Sequence, residues 1–141
     1  MSFFPINRLQ RIKDLRRVLT DRWGPRLPNN ETGRVLLAIV IDHALLIARD
    51  LAERMALQLL PEISDAEIAY MIDKAGDGRM WGPQALANAI GLTEATRVRL
   101  QVTTIGATDC TTSQRRNRNL KRRRLAKLNA AVTASPVIDA T

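Results

Sequence analysis

The chain is poor in the residues that build disulfides, metal clusters and aromatic cores. It has one cysteine, Cys110, so an intramolecular disulfide and a cysteine metal cluster are both excluded. Phe, Trp and Tyr make up only 4% of the residues. The core must therefore rest on Leu, Ile, Val, Met and Ala, which favours packed helices over a β-sandwich. There is one histidine, His43, beside Asp42. No nucleophile stands at a spacing that assigns a triad, so a satisfied core histidine is expected and catalytic activity is not. The most apolar run, Val35–Ala48, holds Asp42 and His43 at its centre and is too short to span a bilayer. Arg8, Arg11, Lys13, Arg16 and Arg17 break any apolar stretch of a secretory signal. Asp14, Asp21 and the scarcity of serine argue against an organelle transit peptide, and the expected location is the cytoplasm. The segment 73–79 matches a calcium loop at Asp73, Asp77 and Gly78. Ala75 and Gln84 stand where oxygen ligands are needed, so no metal and no cofactor are expected.

Positive charge is abundant and unevenly placed. The 141 residues, enough for one domain with tails, carry a net charge of +8. Residues 1–30 have seven basic and two acidic groups, residues 31–94 five and ten, and residues 95–141 ten and two. An acidic middle is thus flanked by cationic ends, which suit a polyanion. Three pieces are expected: a basic amphipathic helix and loop over 1–30, a helical core over 31–108, and an Arg-rich extension with an unstructured tail over 109–141.

Apolar spacing predicts the helices. Met1–Ile6 is an apolar leader. Asn7 caps a helix to about Trp23, with Leu9, Ile12, Leu15, Val18 and Leu19 on its apolar face and Arg8, Arg11, Arg16 and Arg17 on the opposite one. Asn30 or Thr32 starts a second helix, predicted to run from about Gly33 towards Leu60. Its first half is apolar on nearly every side and must be surrounded, by the core or by a second subunit through 35–47. Ser64-Asp65-Ala66-Glu67 is a capping box for a helix to about Lys74. Val102–Ile105 reads as a short strand, and Ser113 as the cap of a helix over about 114–130, with 131–141 as the tail.

Two motifs carry functional weight. Pro83 suits a first helical position, Gly91 a tight turn, and Thr93 the cap of a helix over about 94–101. Met80 and Trp81, just before, are expected to cover this pair. The second motif is the run Arg115, Arg116, Arg118, Lys121, Arg122, Arg123, Arg124 and Lys127, interleaved with Asn117 and Asn119. Cations on every face of a helix repel one another, and a polyphosphate removes that penalty while releasing counterions.

Residues 83–100, with Ala87, Ile90, Gly91, Leu92 and Leu100, resemble the helix-turn-helix of bacterial DNA-binding proteins. The resemblance implies that Thr93, Thr96, Arg97 and Arg99 face the major groove or its phosphates. One position departs from the pattern: six residues after the turn glycine, where an apolar residue is usual, stands Arg97, with Val98 next. Residues 83–127 are also similar to the C-terminal part of small bacterial proteins from mobile-element settings, which implies a bacterial origin.

The expected protein is all-α: a helical bundle with a helix-turn-helix-like unit and a basic C-terminal helix or tail. The expected function is DNA binding with a transcriptional or plasmid-regulatory role, through Thr93, Thr96, Arg97, Arg99 and the 115–127 cations. RNA binding through the Arg-rich helix, or a membrane-surface or protein-interaction role of the N-terminal helix, are the alternatives. Nucleic acid is the expected partner, DNA before RNA, with a homodimer through 35–47 and a membrane surface less favoured.

Overall fold

A computed structural model describes residues 7–134; the side chains of Thr112, Ser113, Arg115 and 131–134 lie outside that description, as do the leader 1–6 and the end of the tail, 135–141. The described residues form seven helices and no strand. They are α1 (Arg8–Trp23), α2 (Glu31–Ala44), α3 (Arg49–Leu59), α4 (Asp65–Ala75), α5 (Pro83–Ile90), α6 (Glu94–Arg99) and α7 (Thr112–Ala134). The chain divides into a first unit through Asp109, holding α1–α6, and a second from Cys110, holding α7.

In the first unit α2 is central and packs against α1, α3 and α4. Leu36, Leu37, Ile39, Val40, Ile41 and Ala44 are all buried there. Most of the apolar surface of 35–47 is covered within the bundle, and of its large apolar side chains only Val35 and Ile47 are exposed. Helix α1 contributes Ile12, Leu15, Val18 and Leu19 to the same core.

The helix expected over 33–60 is broken, and the break has a tertiary cause. Continuation would need the Leu46 amide to donate to the Asp42 carbonyl. That carbonyl instead accepts from the Arg79 amide at 2.9 Å, and the Leu46 amide turns to His43 O at 3.2 Å. The approach of the 78–79 segment depends on Gly78, whose φ is +85° and whose hypothetical Cβ would lie 2.6 Å from Asp42 O. Any side chain there would push the segment off α2 and free the carbonyl.

The expected strand at 102–105 is not formed. Val102 and Ile105 are buried, but the amides of Thr103 and Thr104 find a side chain instead of a neighbouring strand. Asp14 Oδ2 accepts from the amides of Thr103 (3.1 Å) and Thr104 (2.9 Å) and from the Thr104 hydroxyl (2.7 Å). Burial alone would raise the Asp14 carboxyl; the bonds from Thr104, Gln10 and Thr103 outweigh it and hold the group below its ordinary value.

Beside Asp14 lies Arg11, which was expected on the solvated face and is 0% exposed. It donates to Thr104 Oγ1 (3.2 Å), Thr104 O (2.7 Å) and Trp81 O (2.7 Å), and approaches His43 Nε2 at 3.1 Å. Burial draws the guanidinium below its ordinary value while the Asp14 charge pushes it back up. The spacing itself points inward: Arg11 stands four residues before Leu15 and seven before Val18, hence on the buried stripe. Residue type argues outward and periodicity inward, and periodicity prevails because Asp14 and the carbonyls satisfy the charge.

The same network fixes the state of His43. Its Nε2 faces two donors, Arg11 Nη1 and the Trp81 amide (3.2 Å), while Nδ1 lies 2.9 Å from Ile39 O. Nδ1 therefore carries the single proton and the ring is neutral. Burial lowers its pKa, with the Ile39 carbonyl opposing. The expected core histidine is thus a junction joining α1, α2 and the segment before α5.

Candidate nucleic-acid interface

The α5–α6 pair is built as its residues suggest. Pro83 opens α5, Gly91 closes it with φ 69° and ψ 36°, and Thr93 caps α6 by accepting from the Thr96 amide. Leu86, Ala87, Ile90 and Leu92 are buried, Leu100 and Trp81 pack against the core, and the Trp81 indole donates to Asp42 Oδ2 of α2 at 2.9 Å. The Glu94 amide, also at the start of α6, donates to Asp109 Oδ1 at 2.8 Å.

Helix α6 has only six residues, about 9 Å or under two turns. Its candidate contact residues face inward or bond to neighbours. Arg97 donates from Nε to Ile105 O at 2.8 Å and lies 3.7 Å from Glu94 Oε1. It occupies the inward position where an apolar residue was expected, and Val98 is left 60% exposed. The guanidinium can sit there because the non-strand backbone at 105 presents a carbonyl to it. Arg99 grips Asp21 of α1 with both nitrogens, at 3.1 and 2.9 Å. That pairing holds the Asp21 carboxyl below its ordinary value and raises the arginine. Thr93 and Thr96 bond each other through their hydroxyls at 3.2 Å. All four residues thus help fasten α6 within its own unit.

The second unit is different in kind. Thr111 and Gln114 form a reciprocal capping box: Thr111 Oγ1 accepts from the Gln114 amide at 3.1 Å, and Gln114 Oε1 from the Thr111 amide at 2.8 Å. The cap is Thr111 rather than Ser113, a T-x-x-Q spacing legible in the sequence. From it α7 runs 23 residues, about 34 Å, and covers 131–134, which were expected to belong to the tail. Every described side chain of α7 is exposed, including Leu120, Leu125 and Leu128. At 100° per residue, Arg116, Lys121, Arg118, Arg122 and Arg123 fall in succession around the helix, with Arg124 and Lys127 between the first two. Arg115 lies in the helix with its side chain outside the described residues. The helix contains no acidic residue.

Among the described residues no cluster of three or more metal-ligating side chains is present, and no helix is long and apolar enough to cross a membrane. No protein-family profile, curated protein or solved structure matches the chain.

Proposed function

We propose that this protein binds nucleic acid through α7, with double-stranded DNA as the favoured target. The observation that carries the reading is the distribution of cations around the entire circumference of an exposed helix. A helix lying on a flat anionic surface uses the charges of one face only. Charges on all faces find partners together only where phosphates flank the helix on more than one side, as inside a groove. The major groove of B-DNA is about 12 Å wide and a helix with side chains is about 10–12 Å across, whereas the major groove of A-form RNA is too deep and narrow to enter. In this reading α7 supplies the affinity, largely through the backbone. Helix α6 stabilises the first unit instead of reading bases, and the site of action is the cytoplasm.

The test is duplex affinity as a function of salt. The slope of log K against log salt changes by about 0.9 for each phosphate that the protein ceases to neutralise. Replacing Arg116, Arg118, Lys121, Arg122, Arg123, Arg124 and Lys127 with Gln should flatten it by up to about 6 on that basis. Arg97→Ala should leave the slope unchanged. An unaltered slope in the α7 variant refutes the proposal, and tighter binding of duplex RNA than of duplex DNA redirects it to RNA.

A further inference from the structure

The outer face of α1 carries a feature that the α7 reading does not use. Lys13, Arg16, Arg17, Thr20 and Asp21 of α1, together with Leu100 just past α6, line an open groove of about 520 Å³. The first four recur at i, i+3, i+4 and i+7, so they form one stripe with neighbouring Cβ atoms about 5–6 Å apart. Lys13, Arg16 and Arg17 are exposed, and among the described residues none has an ion-pair partner. Each acid nearby is already engaged. Asp14 flanks the stripe but is buried beneath Thr103 and Thr104, whose amides it accepts, and Asp21 is held by two nitrogens of Arg99. The groove is therefore a cationic rim around an apolar floor made by Leu100 and the aliphatic stems of the cations.

We infer that this groove is a second phosphodiester-binding surface, in which Lys13, Arg16 and Arg17 contact the backbone of a nucleic acid strand. The inference rests on the nucleic-acid reading for the occupant, but it stands on a different unit of the chain. A membrane is the poorer fit. A helix that docks on lipid turns its apolar face outward, and the apolar face of α1 (Ile12, Leu15, Val18, Leu19) is enclosed in the core. Arg99 acts here as a positioning residue, because it neutralises the one carboxylate on the rim and ties it down. One chain then carries two phosphate-binding surfaces, one in each unit.

The experiment uses the full chain and duplex DNA, comparing wild type, the Gln variant of α7, a triple variant (Lys13→Gln, Arg16→Gln, Arg17→Gln) and their combination. The triple variant should lower the salt slope by about 2.7, three phosphates at about 0.9 each, and the combination should abolish binding. The α7 variant alone should keep a residual slope of about that size. Asp21→Asn, which removes the rim carboxylate and releases Arg99, should tighten binding and steepen the slope by about 0.9. A triple variant indistinguishable from wild type, with all binding lost in the α7 variant, overturns the groove and leaves the α7 reading intact. Binding that survives in the α7 variant and disappears in the triple variant does the reverse. If the triple variant keeps its DNA slope and loses binding to phosphatidylserine vesicles, the occupant is lipid and the inference fails. Because the three side chains are exposed, an unchanged thermal unfolding profile shows that the variants are folded.

Discussion

Replacing Arg11 with Met keeps an unbranched side chain and removes the guanidinium. Four polar atoms then lose a partner: Thr104 O, Trp81 O, Thr104 Oγ1 and His43 Nε2. Nε2 keeps the Trp81 amide and Oγ1 keeps its bond to Asp14, so two carbonyls are orphaned. Each unsatisfied buried group costs about 1–3 kcal/mol. Asp14 influences the guanidinium by charge alone, without an ion-pair contact, so the orphaned carbonyls set the magnitude. Two of them at about 1–3 kcal/mol each give an expected destabilisation of about 2–6 kcal/mol, against a total of about 5–15 kcal/mol for a domain of this kind. The melting temperature should fall by roughly 10–20 °C. Arg16→Met is the matched control: same helix, same substitution, exposed site, and an expected change within about 0.5 kcal/mol. Urea unfolding of both variants decides the matter. If Arg11→Met and Arg16→Met agree within about 0.5 kcal/mol, the buried network does not hold α1 to the 102–105 segment and the argument fails.

Two further outcomes follow from the same geometry. His43 is the only histidine, and its folded pKa lies below the ordinary 6.5. The unfolded chain therefore takes up the proton first, so stability is flat with respect to this group above about pH 6.5 and falls at lower pH by up to about 1.4 kcal/mol per pH unit until the buried ring itself titrates. Unfolding measured from pH 5 to 8 should show this slope in the wild type and not in His43→Gln; equal slopes would assign it elsewhere. Gly78→Ala places a methyl group against Asp42 O at positive φ and should cost about 1–3 kcal/mol, with the loss concentrated in amide-exchange protection at Arg79 and around residues 42–46. An unperturbed Arg79 amide would count against the proposed cause of the break between α2 and α3.

Much of this molecule is legible from local chemistry. Asn7, Asn30, Ser64 and Thr93 cap helices as their side chains suggest, Pro83 and Gly91 bound α5, and the apolar spacing of α1, α2 and α4 identifies their buried faces. These features depend on interactions within a few residues, which spacing alone specifies. The Arg-rich run is legible for the same reason: a helix that dense in charge has no buried face to offer, and its exposure follows from its composition.

Interactions between distant residues were decided elsewhere. The break after Ala44 depends on an amide that arrives from residue 79, and the absence of a 102–105 strand depends on a carboxylate from residue 14. Arg97 turns inward because Ile105 offers a carbonyl, and Arg99 is engaged because Asp21 lies across from it. The rim of the α1 groove exists only where α1 meets the end of α6. The sequence by itself determined that this is a helical protein with cationic ends, because periodicity, caps and charge are local properties. Only the tertiary structure decided which arginines are structural and which remain exposed, because a guanidinium is satisfied equally well by a phosphate or by a buried carbonyl, and folding alone brings the carbonyl within reach.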